Sequence, residues 1–360
     1  MDLVTPGIEN LRAYQTGKPI EELARERGLS DIVKLASNEN PLGPSPKAIA
    51  AALRGLVDAH RYPDGAAFRL RQAIAEFHQV PRDEVVHGNG SNEIIELLVR
   101  TFMTPEHHIV FGSPAFSMYP VVATAHNVSF TKVPTTSDLV HDLEGMLSAI
   151  HPNTKIVLID NPNNPTGRYV SQLQLADFLS RVPKHVIVVL DEAYFEFATA
   201  SDYPDGLALR HLHPRIMVLR TFSKAYGLAG LRVGYGIGPA ELVGYLHRIR
   251  APFNVSLPSQ EAAIAALQDA AHLTETVRQN AHERARLELA LATRAQRVFP
   301  SQANFILADF GRPSLELYDA LLNHGVITRS MPGLDTHLRI SVGLPAENDR
   351  LLLALAKVLP

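Results

Sequence analysis

The stretch IMVLRTFSKAYGLAGLRVGYGIG, residues 216–238, joins two apolar runs through a segment that carries two cations, Lys224 and Arg232. The runs that begin at Ile216 and Val233 are rich in β-branched and small residues, and we expect each to form a buried strand. A lysine in a segment composed for burial is unfavourable unless its amine is paired, neutralised or used covalently. The alternative is a surface turn with a solvated lysine, and the rest of the chain has to decide between the two.

Three further apolar runs occur along the chain, and helical patterns separate them. The runs are HIVFG from His108, KIVLID from Lys155 and VIVVLD from Val186. Between them, SNEIIELLVRTFM is amphipathic with Ser91 as its expected N-cap, and SQLQLADFLSRV begins at Ser171. Strands that alternate with helices and are apolar on both faces are typical of a parallel sheet. The sequence therefore predicts a doubly wound, mostly parallel α/β domain over residues 46–257.

The composition changes after Pro258. A long helical stretch rich in Ala, Leu, Arg and Glu reaches about Arg297, and NFILADF, a helix from Pro313, GVITRS, HLRISVG and a last helix follow it. This order predicts a smaller α+β domain over residues 258–360. Residues 1–45 contain a helical piece, PIEELARERG, and an extended segment, VKLASNENPLGPSP, and we expect them to form an arm that packs with the small domain.

The composition argues against several classes of function. The chain has 360 residues, of which 46% are hydrophobic and 20% charged, with a formal net charge of -3, so no basic surface for nucleic acid is expected. No apolar run approaches the roughly 20 residues that span a bilayer, and the first residues lack a signal or transit pattern, which predicts a cytoplasmic protein. There is no cysteine, and the 16 histidines form no cluster at ligand spacing, so we expect no metal.

Five polar segments follow predicted strands, at the edge where ligands bind in parallel sheets. HGNGSNE brings two glycines to the start of a helix, where the free amides of Ser91 and Asn92 suit a phosphate. The other segments are NPNNPTG with Asn164, DEAYFEF with Asp191 and Tyr194, TFSKAYG with Thr221, Ser223 and Lys224, and AFSMY with Phe116. Each segment has an ordinary alternative, as a turn, a helix cap or a packed aromatic.

Taken in this order, the segments suit one ligand with a phosphate, an aldehyde carbon, a basic ring nitrogen, a phenolic oxygen and a flat face. Pyridoxal phosphate has all five features. Lys224 would form a Schiff base with its aldehyde, and Asp191 would keep the ring nitrogen protonated. The remaining expected contacts are Asn164 and Tyr194 at the ring oxygen, Phe116 on the ring face, and Ser91, Asn92, Thr221, Ser223 and Arg232 at the phosphate.

The motifs also resemble a known family. LASNENPLGPSP, RYPDG, GNGSNE, SPAFSMY, NPNNPTG, DEAYFEF, TFSKAYGLAGLRVGY, NFIL and LRISVG are similar, nearly end to end, to the class I and II aminotransferases, which are fold type I pyridoxal-phosphate enzymes. The first and last motifs favour the branch that acts on histidinol phosphate. The resemblance implies that L-histidinol phosphate and 2-oxoglutarate are converted to imidazole acetol phosphate and L-glutamate, in histidine biosynthesis, with Lys224 moving the proton between substrate and cofactor.

The resemblance implies roles for residues outside the strand ends as well. Arg339 would bind the anionic end of either substrate, phosphate or carboxylate, and Arg329 would be a second phosphate clamp unless it is a surface arginine. Tyr14 and Asn38 would line the substrate site. Tyr62 would reach the cofactor phosphate of a neighbouring subunit, which implies a homodimer with cofactor sites at the subunit interface.

Alternative functions on the same fold stay open. An aromatic amino-acid aminotransferase would use Arg339 for the α-carboxylate and an apolar pocket for the ring. The sequence alone distinguishes this function poorly from an aminotransferase that acts on histidinol phosphate. A phosphothreonine decarboxylase would release carbon dioxide instead of transferring nitrogen. A pyridoxal-phosphate-sensing regulator would need a DNA-binding domain, and residues 1–45 have no helix-turn-helix pattern. We therefore expect small-molecule substrates, with no nucleic acid or membrane partner.

Overall fold

The computed structural model of the protein describes residues 3–4, 7–11 and 17–359. Within this part of the chain, the strands are β1 (Val33–Lys34), β2 (Val85–Gly88), β3 (His108–Ser113), β4 (Ser129–Pro134), β5 (Thr154–Asp160), β6 (Ile187–Asp191), β7 (Ile216–Thr221), β8 (Gly234–Ile237), β9 (Arg297–Phe299), β10 (Phe305–Asp309), β11 (Val326–Ile327), β12 (Arg329–Met331) and β13 (Leu334–Ser341). The α-helices are α1 (Ile20–Arg27), α2 (Pro46–Leu56), α3 (Phe68–His78), α4 (Ser91–Phe102), α5 (Met118–Ala125), α6 (Leu143–Ser148), α7 (Gln172–Arg181), α8 (Ala240–Ile249), α9 (Leu257–Leu267), α10 (Ala270–Leu291), α11 (Ser314–Asn323) and α12 (Pro345–Val358).

A seven-stranded sheet in the order β2-β8-β7-β6-β5-β3-β4 forms the centre of the fold. The strands from β7 to β4 are parallel to their neighbours, whereas β8 runs antiparallel to both β2 and β7. The prediction of a mostly parallel sheet is confirmed, and all five predicted strands are present. The direction of β8 was not predicted, because an apolar run indicates burial and carries no information on strand direction.

Helices cover both faces of this sheet. Along β5, Ile156 and Leu158 join a cluster with α4, α5 and α8, while Val157 and Ile159 join a cluster with α6 and α7. Successive side chains of a strand point to opposite faces, so a strand covered on both sides needs an unbroken apolar run. The run in β5 is apolar for that reason, and the doubly wound α/β fold is confirmed.

The helix starts agree only in part with the sequence. Ser171 caps α7 through a capping box with Gln174, as the pattern indicates. The prediction of Ser91 as an N-cap is wrong, because α4 begins at Ser91 and the cap position is Gly90, with φ 78°. This positive φ is a conformation that residues with a Cβ rarely adopt, so the backbone at position 90 favours glycine.

The C-terminal part contains a second sheet. Strands β12-β13-β10-β9 are antiparallel, and β1 pairs in parallel with β11. The single long helical stretch expected after Pro258 is two helices, α9 and α10, and Arg297 lies in β9. Helix α9 packs with α2 and α3 against β2 and β8.

The division of the chain into an N-terminal arm and two domains stays a prediction. No helix of the described ranges has the length and apolar character of a membrane span.

Candidate active site

A cavity of about 200 Å³ opens at the carboxyl ends of the parallel strands. This volume is many times that of one water molecule. All but two of the predicted site residues line it, namely Asn38, Ser91, Asn92, Phe116, Asn164, Asp191, Tyr194, Thr221, Ser223, Lys224, Arg232, Arg329 and Arg339. The fold therefore brings to one place side chains that are up to 301 positions apart in the chain, from Asn38 to Arg339.

Lys224 follows β7 and points its amine into the cavity. Its Nζ donates to the carbonyl oxygen of Ser37 at 3.2 Å and lies 5.7 Å from the centroid of the Tyr194 ring. Burial lowers the pKa of Lys224 to about 8, and the charge of Arg339 acts in the same direction. A larger fraction of this amine is therefore unprotonated near neutral pH than in an exposed lysine, and an unprotonated amine is the nucleophilic form.

Asp191 ends β6 at the base of the cavity and is 4% exposed. Its Oδ2 accepts a hydrogen bond from the Tyr119 hydroxyl at 3.1 Å, whereas Oδ1 is buried without a partner. Burial raises the pKa of this carboxyl to about 7, and the neighbouring Asp160 adds to the rise. A buried acceptor without a partner is rare in folded proteins, and it indicates a ligand that donates a hydrogen bond or carries a positive charge.

Three side chains form a polar group beside the lysine. The Tyr194 hydroxyl accepts hydrogen bonds from the side-chain amides of Asn38 at 3.0 Å and Asn164 at 3.2 Å. Burial raises the pKa of Tyr194 to about 12, so its hydroxyl stays protonated and can donate to a ligand oxygen. Asn164 in turn accepts from an Arg339 nitrogen at 2.6 Å.

The start of α4 forms the opposite end of the cavity. Ser91 and Asn92 are the first residues of this helix, where backbone amides have no partner within the helix. Arg232 donates to the Ser223 hydroxyl at 3.3 Å, and Ser223 lies two residues after Thr221 at the end of β7. Hydroxyls, free amides and a guanidinium together provide what an anion such as phosphate requires.

Two arginines face the cavity from the second sheet. Arg329 in β12 and Arg339 in β13 are directly opposite each other in the antiparallel pair, so their side chains lie on the same face. Arg339 is 8% exposed and is oriented by the Ala36 carbonyl oxygen at 2.7 Å and by Asn164. Two guanidinium groups on one face form a second anion site, at a different end from the α4 start.

Phe116, Tyr62 and Tyr14 have different positions. Phe116 lines the cavity and contacts Tyr119 edge to face at 5.6 Å between centroids. Tyr62 does not line the cavity; it is 83% exposed and stacks on Phe253 at 4.6 Å. Tyr14 lies outside the described residues.

Sequence reasoning missed two of the residues around Asp191. Asp160 ends β5 and lines the cavity beside Asp191, and Tyr119 supplies the hydrogen bond to Asp191 from α5. Asp160 could have been predicted as a site residue, since it ends a buried strand just as Asp191 does. Tyr119 has no sequence pattern that separates it from a packed aromatic, because only the fold brings α5 next to the end of β6.

The residues present fit pyridoxal phosphate. The unpartnered Oδ1 of Asp191 suits a protonated ring nitrogen, the amine of Lys224 suits an aldehyde, and the α4 start with Arg232 suits a phosphate. The aromatic face of Phe116 and the hydroxyl of Tyr194 suit the ring and its oxygen. Among the described residues there is no group of three or more His, Cys, Asp or Glu side chains that could hold a metal ion.

Comparison with known proteins gives the same family. The chain is 47% identical, over 100% of its length and 100% of the relative, to a histidinol-phosphate aminotransferase of Anaeromyxobacter sp.. It is 50% identical to one of Akkermansia muciniphila, covering 98% of this chain and 97% of the relative. The crystal structure of histidinol-phosphate aminotransferase from Sinorhizobium meliloti in complex with pyridoxal-5'-phosphate matches with a TM-score of 0.91 and 29% identity, over 100% of this chain and 98% of that one. The model of the family aminotransferase class I and II matches residues 30–355, and the chain belongs to this family.

Proposed function

We propose that this chain is a pyridoxal-phosphate-dependent aminotransferase that moves the amino group of L-histidinol phosphate to 2-oxoglutarate. One observation carries the proposal: a buried lysine with a pKa lowered to about 8 shares a cavity with Asp191, whose Oδ1 has no partner. Relatives that are 47% and 50% identical over nearly the whole chain are histidinol-phosphate aminotransferases, which supports this substrate.

In this function the chain holds the cofactor at both ends and controls its protons. When bound, pyridoxal phosphate supplies an aldehyde carbon for the amine of Lys224 and an electron-withdrawing ring. Asp191 holds a proton at the ring nitrogen, and the Tyr194 hydroxyl with Asn164 orients the ring oxygen. Lys224 moves the proton at the reacting carbon of the substrate once its amine is free, because no other amine of the described residues lines the cavity.

The two arginines of the second sheet account for the use of two substrates at one site. Arg339 binds the phosphate of histidinol phosphate or a carboxylate of glutamate, since a planar guanidinium can donate two parallel hydrogen bonds to either anion. Arg329 adds a second cation beside it, which favours a doubly charged phosphate over a single carboxylate. Asn38 and Tyr14 complete the substrate site in this proposal.

The proposal includes a homodimer in which Tyr62 binds the cofactor phosphate of the neighbouring subunit. Two features support it: Tyr62 is 83% exposed and outside its own cavity, and Leu53, Leu56 and Val57, which precede it in the chain, are more than half exposed. Exposed apolar groups of this size favour an interface. The cytoplasmic location stays a prediction.

The test is a half-reaction. Protein loaded with pyridoxal phosphate is mixed with L-histidinol phosphate without any keto acid, and the visible absorbance of the cofactor is followed. We expect this band to convert stoichiometrically to that of the amino form, and 2-oxoglutarate to restore it. Lys224→Ala is expected to lose the visible band of the lysine-bound cofactor and at least about 10³-fold in turnover.

The alternatives give different outcomes in the same cuvette. An aromatic aminotransferase would leave the band unchanged with L-histidinol phosphate and convert it with L-phenylalanine. A decarboxylase would release carbon dioxide from phosphothreonine without accumulating the amino form. Either result would replace the proposed substrate while leaving the cofactor assignment in place.

A further inference from the structure

A second buried carboxylate lies beside Asp191. Asp160 and Asp191 are partners in the parallel pair β5 and β6, and they are 3% and 4% exposed. Residues at the same register on neighbouring strands point to the same face, so both carboxyls face the cavity that they line. Asp191 has a role in the proposed function, whereas that function leaves Asp160 without one.

Donors surround the Asp160 carboxylate. His141 Nε2 donates to Oδ1 at 2.9 Å, and the backbone N–H of Asn164 donates to Oδ2 at 2.8 Å. The side-chain amide of Asn163 lies 3.2 Å from both oxygens. All three partners can donate, and an ionised carboxylate accepts through both of its oxygens. Burying this charge is unfavourable unless something compensates it, and of these partners only His141 can carry a positive charge, when it is protonated.

His141 holds Asp160 in a fixed place. The histidine is buried against Gly112, where an added Cβ would lie 2.1 Å from its ring Nδ1, so the ring has no room to move toward the strand. Asp160 in turn fixes the backbone of Asn164. The side chain of Asn164 contacts Tyr194 at 3.2 Å and Arg339 at 2.6 Å, so it joins the cofactor end of the cavity to the substrate end.

The charge of Asp160 also acts across the cavity. Among the described residues, the titratable groups around it are His141, Asp191 of β6, Tyr119 of α5 and Tyr194 after β6, and the cations Lys224 and Arg339 line the same cavity. After burial, the charge of Asp160 contributes to the raised pKa of Asp191, Tyr119 and Tyr194. A cation placed between Asp191 and Lys224 would relieve the repulsion between the two carboxylates.

We propose that Asp160, held by His141, is a positioning residue that fixes Asn164 between Tyr194 and Arg339 and places a second negative charge beside Asp191 to stabilise a protonated cofactor. The inference rests on the proposed function, because it needs a cationic cofactor in the cavity. A turn alone does not require a charged residue at position 160, since an asparagine can form the same turn. The proposed role explains why the charge is there.

The experiment compares Asp160→Asn with the unsubstituted protein and with Asp142→Asn, all three loaded with pyridoxal phosphate. Asp142 caps α6 through Gly145 N at 3.0 Å and does not line the cavity, and asparagine caps a helix as well as aspartate does. Two quantities are measured: the pH midpoint of the visible cofactor band and the dissociation constant of the cofactor by fluorescence quenching.

For Asp160→Asn we expect the pH midpoint to fall by about one unit and the dissociation constant to rise about tenfold, because the charge that stabilises the protonated cofactor is lost. Asp142→Asn should leave both unchanged. Equal midpoints and constants for Asp160→Asn and the unsubstituted protein would overturn the inference.

A second variant covers the case in which Asp160→Asn does not fold. His141→Gln leaves the carboxylate but loosens it, and a smaller fall of the midpoint in the same direction supports the inference, whereas an unchanged midpoint contradicts it. Failure of the proposed cofactor looks different: the unsubstituted protein would then have no visible band, and the inference would fall with it. A different amino donor would leave the band and the inference in place.

Discussion

The pKa values of Lys224 and Asp191 are shifted in opposite directions, and burial causes both shifts. Burial disfavours charge, so it lowers the pKa of the lysine to about 8 and raises that of the aspartate to about 7. An aldehyde that bonds to the amine and a basic ring nitrogen that pairs with the carboxylate would relieve both penalties at once. The free protein is therefore destabilised at the place where the cofactor binds, which favours binding.

The first prediction concerns Asp191 in cofactor-free protein. Its pKa of about 7 lies above the value of 3.8 for an unburied carboxyl, so the folded state binds more protons between these values, and this group makes stability fall as the pH rises through them. We expect Asp191→Asn to be more stable than the unsubstituted apoprotein at pH values near 8, by a few kcal/mol at order of magnitude, and this advantage to vanish near pH 4.

Urea unfolding at the two pH values measures this difference. Asp177→Asn is the control, since this carboxylate is 62% exposed and forms a surface ion pair with Arg181. Its substitution is expected to change the free energy of unfolding by at most about 1 kcal/mol at either pH. A less stable Asp191→Asn apoprotein at the higher pH would contradict the electrostatic account of the site.

The second prediction concerns the arginine of the substrate end. Arg339→Ala removes the donors to Asn164 and to the Ala36 carbonyl as well as the expected substrate contact. We expect kcat/KM to fall by about 10²-fold or more for both L-histidinol phosphate and L-glutamate, with Arg339→Lys only partly restoring it, because an ammonium cannot donate two parallel hydrogen bonds. Steady-state kinetics with each amino donor measures the loss.

The comparison variant for this prediction is Arg297→Ala in the neighbouring part of the same sheet. Arg297 is about half exposed and pairs with Asp138 outside the cavity. It should leave kcat/KM within about threefold of the unsubstituted value. A loss for only one of the two donors would mean that Arg339 does not serve both substrates.

The residues predicted for the cofactor end line one cavity, and the reason is local. Lys224, Asp191 and Asn164 follow buried strands, and the ends of parallel strands meet at one edge. Tyr119 and His141 come from an interior helix position and a connecting segment, so their contacts with Asp191 and Asp160 depend on packing between distant elements. No local pattern separates such residues from ordinary core residues.

At the scale of elements, the junction between α4 and β8 sets the shape of the phosphate end. Gly234 begins β8 directly beneath the start of α4, and a Cβ there would lie 2.4 Å from the backbone nitrogen of Ser91. Backbone atoms cannot move aside as a flexible side chain can. The close contact therefore holds the free amides at the helix start where Arg232 and Ser223 reach the same space.

The third prediction tests this junction. Gly234→Ala should displace the start of α4, so we expect at least a tenfold rise in the dissociation constant of the cofactor and a loss of about 1–3 kcal/mol in the free energy of unfolding. Gly244→Ala in α8 is the matched control, since nothing lies within 4 Å of its added Cβ. Because alanine favours a helix interior, that variant should gain about 0.5–1 kcal/mol and bind cofactor normally.

Equilibrium unfolding and cofactor titration on both variants decide the matter. Normal cofactor binding by Gly234→Ala would show that the close contact is not needed for the phosphate end.

The secondary-structure elements were predicted only in part, and the reason again lies in contacts between distant parts of the chain. Apolar runs give the existence of β8 and of the helices after Pro258, but the direction of β8 and the break between α9 and α10 depend on tertiary contacts, such as those of Asp269 with Ser45 and Lys47.

At the scale of the whole molecule, the cavity is assembled from three parts of the chain. Ala36 and Ser37 come from the segment after β1, the strand ends of the central sheet form the base, and β12 and β13 bring the two arginines. The order of apolar runs and helical patterns predicted the parallel sheet and the smaller α+β part, and the pattern of residues 1–45 predicted the arm. The roles of the two arginines came from the family resemblance and not from spacing. Tyr62 is the predicted site residue that the chain places on its outer surface.

The fourth prediction follows from that position. If Tyr62 serves the neighbouring subunit, Lys224→Ala and Tyr62→Ala damage the same site of a mixed dimer, and the other site keeps both residues. At a limiting cofactor concentration, at which Tyr62→Ala alone is largely inactive, we expect a dissociated and reassociated equal mixture to recover about a quarter of the unsubstituted activity, since half of the dimers are mixed and each has one complete site. If Tyr62 instead served its own subunit, neither site of a mixed dimer would be complete and no activity would return. Mixing Lys224→Ala with Tyr245→Ala, a tyrosine of α8 that is 39% exposed and outside the cavity, controls for the procedure, because Tyr245→Ala should be active before mixing.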